Sequence, residues 1–188
     1  MPAAAGNRST SSVIDFSRNH FELFGLPVRF RFDPVALDSA YRELQREIHP
    51  DRHATAADAE RRLALQSSAR VNEAYRALKD PVERAQYLLS LHGVDAFHAA
   101  DTSLAVEFVE QQLERRHVAS EAYEARDARA LVSLLEDVRA DAAAREQRLA
   151  VLLDAEGAWE LARARVRELK FLAKFAADLD AMIGALDD

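Results

Sequence analysis

The sequence predicts an all-α chain in two parts, an N-terminal helical hairpin and a C-terminal antiparallel three-helix bundle. Apolar residues recur at spacings of three and four along most of its length, which marks helices with one buried face. No segment alternates apolar and polar residues convincingly, so no sheet is expected. Pro27, Pro34, Pro50 and Pro81 punctuate the first half and no proline follows, which leaves the second half free for long helices.

Length and composition narrow the rest. The 188 residues suffice for one domain or two small ones. Hydrophobic residues make up 49%, with no run long enough to span a bilayer, so a soluble globular protein without a membrane partner is expected, and the lack of cysteine agrees with a cytoplasmic location. Residues 1–17 read as a disordered tail, because Met1 to Ser12 is small and polar and lacks the apolar core of a secretory signal. The absence of cysteine removes disulfides, thiol catalysis and cysteine-ligated clusters, and no cofactor is expected. The net charge of −7 is uneven: residues 1–90 carry +1 and residues 91–188 carry −8. An acidic second half repels phosphate backbones, which argues against nucleic acid as a partner.

The elements follow in order. Leu37, Tyr41, Leu44 and Ile48 place an apolar stripe on one helix face. Pro50 disfavours helical geometry at His49, so this helix ends in a turn at His49-Pro50-Asp51. A second helix resumes after Ala56, with Leu63, Ser67, Val71, Ala74 and Leu78 on one face. The result is a hairpin that displays polar side chains at its tip. Arg42 and Arg46 lie opposite the apolar stripe, and Arg52 follows the tip. Val82 to Leu91 reads as a linker helix ending at His92-Gly93, where glycine suits a helix C-terminus. Asp101, Thr102 and Ser103 are the candidate caps of the next helix.

Three bundle helices are expected: Ser103 to Glu124, with Leu104, Phe108, Val109 and Leu113 inward; Asp127 to Leu153; and, after a turn at Asp154–Gly157, Ala158 to Leu186. The last carries Trp159, Leu161, Val166, Leu169, Leu172, Phe175, Leu179 and Ile183, and Trp159 reads as core or staple.

Tyr41-Arg42-Glu43-Leu44 leading into His49-Pro50-Asp51 resembles the second helix and signature loop of the J-domain family. Val71 to Pro81 resembles its third helix, and Phe21 to Pro27 its short first helix and exit turn. Further on, Arg84 to Gly93 is similar to the linker of the HscB-type co-chaperones of bacterial iron–sulfur cluster assembly. Glu110-Gln111 and Val166 to Leu172 resemble two stretches of that family's C-terminal bundle. The likeness runs from about Phe21 to Leu186. It implies a J-domain over residues 18–81, a linker over 82–102 and a bundle over 103–188.

It also implies a non-enzymatic co-chaperone with two partners. An Hsp70-type chaperone (HscA type) would meet His49, Pro50, Asp51, Arg42, Arg46 and Arg52, its ATPase being stimulated. An iron–sulfur scaffold protein (IscU type) would meet Phe108, Val109, Gln112 and Phe171. Gln112 stands where the family has an apolar residue, and Leu113 where an acidic one is usual. Phe171 lies about 200° around the helix from the inward Leu169, which predicts exposure.

Rival readings of the tip use the same side chains. His49, Asp51 and His53 are metal-ligand types, and His49 beside Asp51 has the form of an oriented general base. A turn offers neither an enclosing pocket nor a nearby nucleophile. The bland reading of Arg42 and Arg46 is a solvated face paired with Glu43 and Glu47. No glycine-rich phosphate loop is present, so ATP binding is expected of the partner and not of this chain.

Overall fold

The computed structural model describes residues 14–48, 58–98 and 104–187, and every regular element among them is helical. The elements are α1 (His20–Leu23), α2 (Pro34–Ile48), α3 (Asp58–Lys79), α4 (Pro81–Leu91), α5 (Val106–Glu124), α6 (Ala128–Val151) and α7 (Trp159–Asp187), with a π-helical turn, Leu152–Glu156, before α7. The chain divides into two compact units. One comprises residues up to Val28 together with Phe32–Lys79, and the other comprises Arg29–Arg31 together with Asp80–Asp188.

In the first unit, α1 and α2 pack on α3. Asn19 and Glu22 start α1 with a reciprocal capping box. The expected stripe is buried at Leu37 and Ile48 and half-buried at Tyr41 and Leu44, facing the buried Val71, Ala74 and Leu78 of α3. Beside it runs a polar seam between the two helices. Tyr41 Oη and Gln45 Nε2 both donate to Asn72 Oδ1, at 2.9 and 2.6 Å. Tyr75 Oη and Lys79 Nζ donate to Asp38 Oδ1, at 2.9 and 2.7 Å. The Tyr41 and Tyr75 rings stack 4.0 Å apart. Hydrogen bonds from Lys79 and then Tyr75 hold the Asp38 carboxyl below the usual carboxylate range.

Ile14 is buried, and Asp15 accepts the Ser17 N–H at 3.0 Å, so residues 14–17 of the expected tail take part in the fold, while residues 1–13 lie outside the described residues. An apolar side chain and an Asx turn give this short stretch something to fold onto.

His20 is also buried in this unit, at 5% exposure. Burial, and then the neighbouring Arg70, push its pKa down to about 4, against a smaller opposing pull from Glu73. Above pH 6.5 the imidazole is neutral folded or unfolded and adds no pH dependence. As pH falls from 6.5 toward 4, the unfolded chain takes up the proton first and stability drops. Between pH 7 and 5 this loss is about 1–2 kcal/mol after allowance for solvent screening. A His20→Leu variant should lose less over the same interval in denaturant titrations. Parallel losses in the two proteins would contradict a buried neutral imidazole.

The second unit is built on α7, which packs against α6, α4 and α5. Its core includes Phe108, Leu131, Leu135, Val138, Leu172, Phe175 and Leu179. Asp80 caps α4 through the N–H groups of Val82 and Glu83, with Pro81 in the first turn. Gly93 (φ 75°) ends the helix in a Schellman motif, its N–H bonding Ser90 O while Val94 N–H bonds Leu89 O. Thus the segment expected to be a linker is a packed element of this unit. Trp159 stacks on His92 at 3.7 Å, half-buried as a staple would be, whereas Leu161 is exposed.

Two expectations change here. The N-cap of α5 is Ala105, without a side-chain hydrogen bond, and the expected caps Asp101, Thr102 and Ser103 lie outside the described residues. The turn expected at 154–157 is the end of the π-helical turn, closed by Gly157 at φ 60°. From it the Asp154 carboxylate, 9% exposed, accepts the N–H groups of Phe30 and Arg31 at 2.6 and 2.9 Å. The Arg84 guanidinium covers the Phe30 ring at 4.5 Å.

Candidate functional site

The first unit carries a basic helix face. Arg42 and Arg46 are both exposed on α2, one turn apart, on the side away from Leu37 and Ile48. Arg46 Nε donates to the Arg42 carbonyl at 3.3 Å, and Arg42 donates weakly to Ser39 Oγ at 3.5 Å. Val35, two-thirds exposed, continues the same face toward the helix start. His49, Pro50, Asp51 and Arg52 lie outside the described residues, as does His53.

The second unit carries an apolar stripe on α5. Val106, Val109 and Leu113, spaced three and four apart, are 66, 40 and 63% exposed. Val109 and Leu113 were expected to face inward, and they face out. The inward face is instead Phe108, Gln112, Ala119 and Ala122, of which only Phe108 is a large apolar residue.

Of the four residues expected at the scaffold surface, Val109 is exposed, Phe108 and Gln112 are buried, and Phe171 is half-buried. The expected exposure of Phe171 is corrected. Its ring packs on the core and meets Phe108 edge-on at 5.7 Å. The angular argument fails because it assumed one buried stripe, whereas Val166, Arg167, Glu168 and Leu169 of α7 are buried in succession. Phe171 is nonetheless close to the stripe, for the Arg116 guanidinium of α5 lies 5.3 Å from its ring centroid.

An ion network braces this face from behind. Arg115 and Arg145 both donate to Asp141, at 2.8 Å each. Arg145 and Arg165 share the buried Glu168, and the Arg145 guanidinium sits 4.9 Å from the Phe108 ring. Burial pulls the Asp141 pKa upward, but the hydrogen bonds from Arg115 and Arg145 outweigh it and leave the carboxyl below its ordinary value. The stripe therefore rests on a helix fixed to both of its neighbours.

Gln112 is the exception in this packing. It is 2% exposed, and neither its amide nitrogen nor its oxygen has a hydrogen-bond partner among the described residues. A buried amide without partners costs about 1–3 kcal/mol. Gln112→Leu should therefore raise the denaturant midpoint, by about 1–2 kcal/mol of stability. A lowered midpoint would mean that the amide is satisfied in solution.

One signal of the outward stripe was present in the sequence. Gln112 and Leu113 each depart from the family pattern, and moving the correspondence by one residue puts Leu113 at the apolar position. Arg116, one turn beyond Leu113, carried no comparable signal.

Comparison with known proteins matches both units. Residues 19–87 match the family model described as DnaJ domain, and residues 104–180 that described as HSCB C-terminal oligomerisation domain. The co-chaperone protein HscB homolog of Burkholderia multivorans is 44% identical over 93% of this chain and 99% of its own length. That of Ralstonia nicotianae is 47% identical, over 92% and 98%. Among solved structures, chaperone HscB from Vibrio cholerae superposes with a TM-score of 0.80 at 37% identity, covering 90% of this chain and 99% of its own. Human co-chaperone protein HscB has the same fold, with a TM-score of 0.83 at 24% identity over 89% and 83%. With a J-type hairpin, an HscB-type bundle and this level of identity along nearly its whole length, the chain belongs to the HscB family of J-domain co-chaperones.

Proposed function

We propose that this co-chaperone works as a two-partner adaptor in the bacterial cytoplasm. The J-domain, assigned to residues 18–81, stimulates ATP hydrolysis by a dedicated Hsp70-type chaperone of the HscA type. The bundle, residues 103–188, brings it an iron–sulfur scaffold protein of the IscU type. The supporting observation is the presence in one polypeptide of a hairpin with a basic α2 face and a bundle with an exposed apolar stripe.

On the chaperone side, Arg42 and Arg46 attract the acidic surface of the ATPase, and His49, Pro50, Asp51 and Arg52 make the contact that triggers hydrolysis. On the scaffold side, Val109 with Val106 and Leu113 forms the apolar contact and Phe171 flanks it. Phe108 acts from beneath, by holding α5 in place, and Gln112 lies buried beside it without a contact to the scaffold. The chain supplies no bond-making group in this scheme. It raises the effective concentration of scaffold at the chaperone, so that scaffold arrival coincides with ATP hydrolysis.

A steady-state ATPase assay tests this, using the chaperone alone, with the chain, with the scaffold and with both. Stimulation by the chain, further increased by the scaffold, is the expected result. Stimulation indifferent to scaffold would indicate a different client, and no stimulation would remove the J-domain role.

A further inference from the structure

The guanidinium of Arg116 differs from those around it. Arg115, Arg139, Arg145 and Arg165 each donate to a carboxylate of this chain. Arg116 reaches Asp178 only at 3.9 Å, with both side chains about half exposed, and its N–H groups make no hydrogen bond among the described residues. Yet its position is held: the guanidinium carbon lies 5.3 Å from the ring centroids of both Phe171 and Phe175. The two rings supply a cation–π seat and reduce the rotamer freedom that a surface arginine normally loses on binding. What remains is a planar fork, backed by aromatic faces, with its donors unspent.

Its location gives that fork a use. Arg116 follows Leu113 by three residues on α5, at the end of the exposed Val106, Val109 and Leu113 stripe. A central apolar contact with an anchored arginine at its edge is the composition of an interface hot spot. The surrounding surface is acidic, with Glu107, Glu110 and Glu114 exposed on the same helix. A partner drawn in by that field is basic at long range, so a fixed cation beside the stripe discriminates by position.

We propose that Arg116 is a specificity-determining residue, pairing with an aspartate or glutamate that the scaffold protein presents beside its own apolar contact. The pair would fix the register in which the scaffold lies along α5. This rests on the reading that the scaffold binds the Val109–Leu113 stripe.

The test measures affinity of the full-length chain for the cluster-free scaffold protein of the same organism, at low and moderate salt. Arg116→Gln should weaken binding about tenfold, mainly through faster dissociation, and Arg116→Lys should recover only part of the loss. Arg116→Glu should weaken binding further, and a denaturant midpoint for each variant separates this from unfolding. Leu113→Asp is the reference. If it abolishes binding while Arg116→Glu binds as well as the parent or better, the carboxylate partner is refuted and the stripe stands. If neither variant changes affinity, the stripe itself is not the scaffold surface. Equal binding by Arg116→Lys and the parent would show that charge alone suffices and would overturn the role of the seated fork.

Discussion

His49→Gln should reduce stimulation of the chaperone ATPase to the level of the chaperone alone, with thermal stability and scaffold affinity nearly unchanged. The hairpin is held by groups elsewhere on α2 and α3. Leu37, Val71, Ala74 and Leu78 are buried, and the seam ties Asp38 to Tyr75 and Lys79, and Tyr41 and Gln45 to Asn72. None of these bonds involves His49. With His49 in the turn that Pro50 predicts, replacement by an amide of similar size leaves those contacts intact, and changes at such surface positions usually shift stability by about 0.5 kcal/mol or less. The measurement is ATP turnover against chain concentration, with a melting curve and a scaffold titration on the same preparation. Full stimulation by the variant would end the assignment of the tip as the trigger. A lost melting transition would instead make His49 part of the fold.

On the second face, Leu113→Asp should weaken scaffold binding about thirtyfold or more and cost the fold little. The side chain is 63% exposed, so a carboxylate there stays hydrated in the free protein. Placed inside an apolar contact, the same carboxylate is desolvated without a partner, a loss of about 2 kcal/mol or more. Phe171→Ala provides the comparison. Its ring is half-buried against Phe108 and also seats Arg116, so truncation should lower both affinity and stability. The stability loss should fall short of the roughly 3–5 kcal/mol typical of a fully buried phenylalanine. Denaturant midpoint and scaffold affinity, measured for both variants, separate the two behaviours. Unchanged affinity for Leu113→Asp would require the scaffold site to be sought elsewhere on the bundle.

The fold was legible where local chemistry decides it. The glycine at position 93 acts within a few residues of itself, ending α4 where a helix C-terminus was expected, whereas the capping box at Asn19 and Glu22 and the Asp80 cap beside Pro81 went unread although they are equally local. The regular stripes of α2 and α3 were equally readable, each having one buried side. On α5 the periodicity misled, because its outward face is more apolar than its inward one, where Ala119, Ala122 and Gln112 sit. On α7 the assumption of a single buried side failed, and Phe171 was misplaced with it. The inclusion of Arg29–Arg31 in the second unit had no local signature at all. It depends on Asp154, a residue on a π-helical turn more than a hundred positions away.

That last bond has a consequence for synthesis. The Phe30 N–H and the Asp154 carboxylate are 124 residues apart in the chain, so the second unit closes a very long loop when it completes. Translation delivers Arg29–Arg31 early and their acceptor late, and no earlier folding event can supply it. Until Asp154 clears the ribosome, the Phe30 and Arg31 N–H groups lack their native acceptor, although Arg84 is already available to the Phe30 ring, while the contacts of α2 with α3 need nothing beyond Lys79. Vectorial folding is therefore split inside the first forty residues. A stretch lying between α1 and α2 waits through most of elongation for the acceptor of its backbone N–H groups.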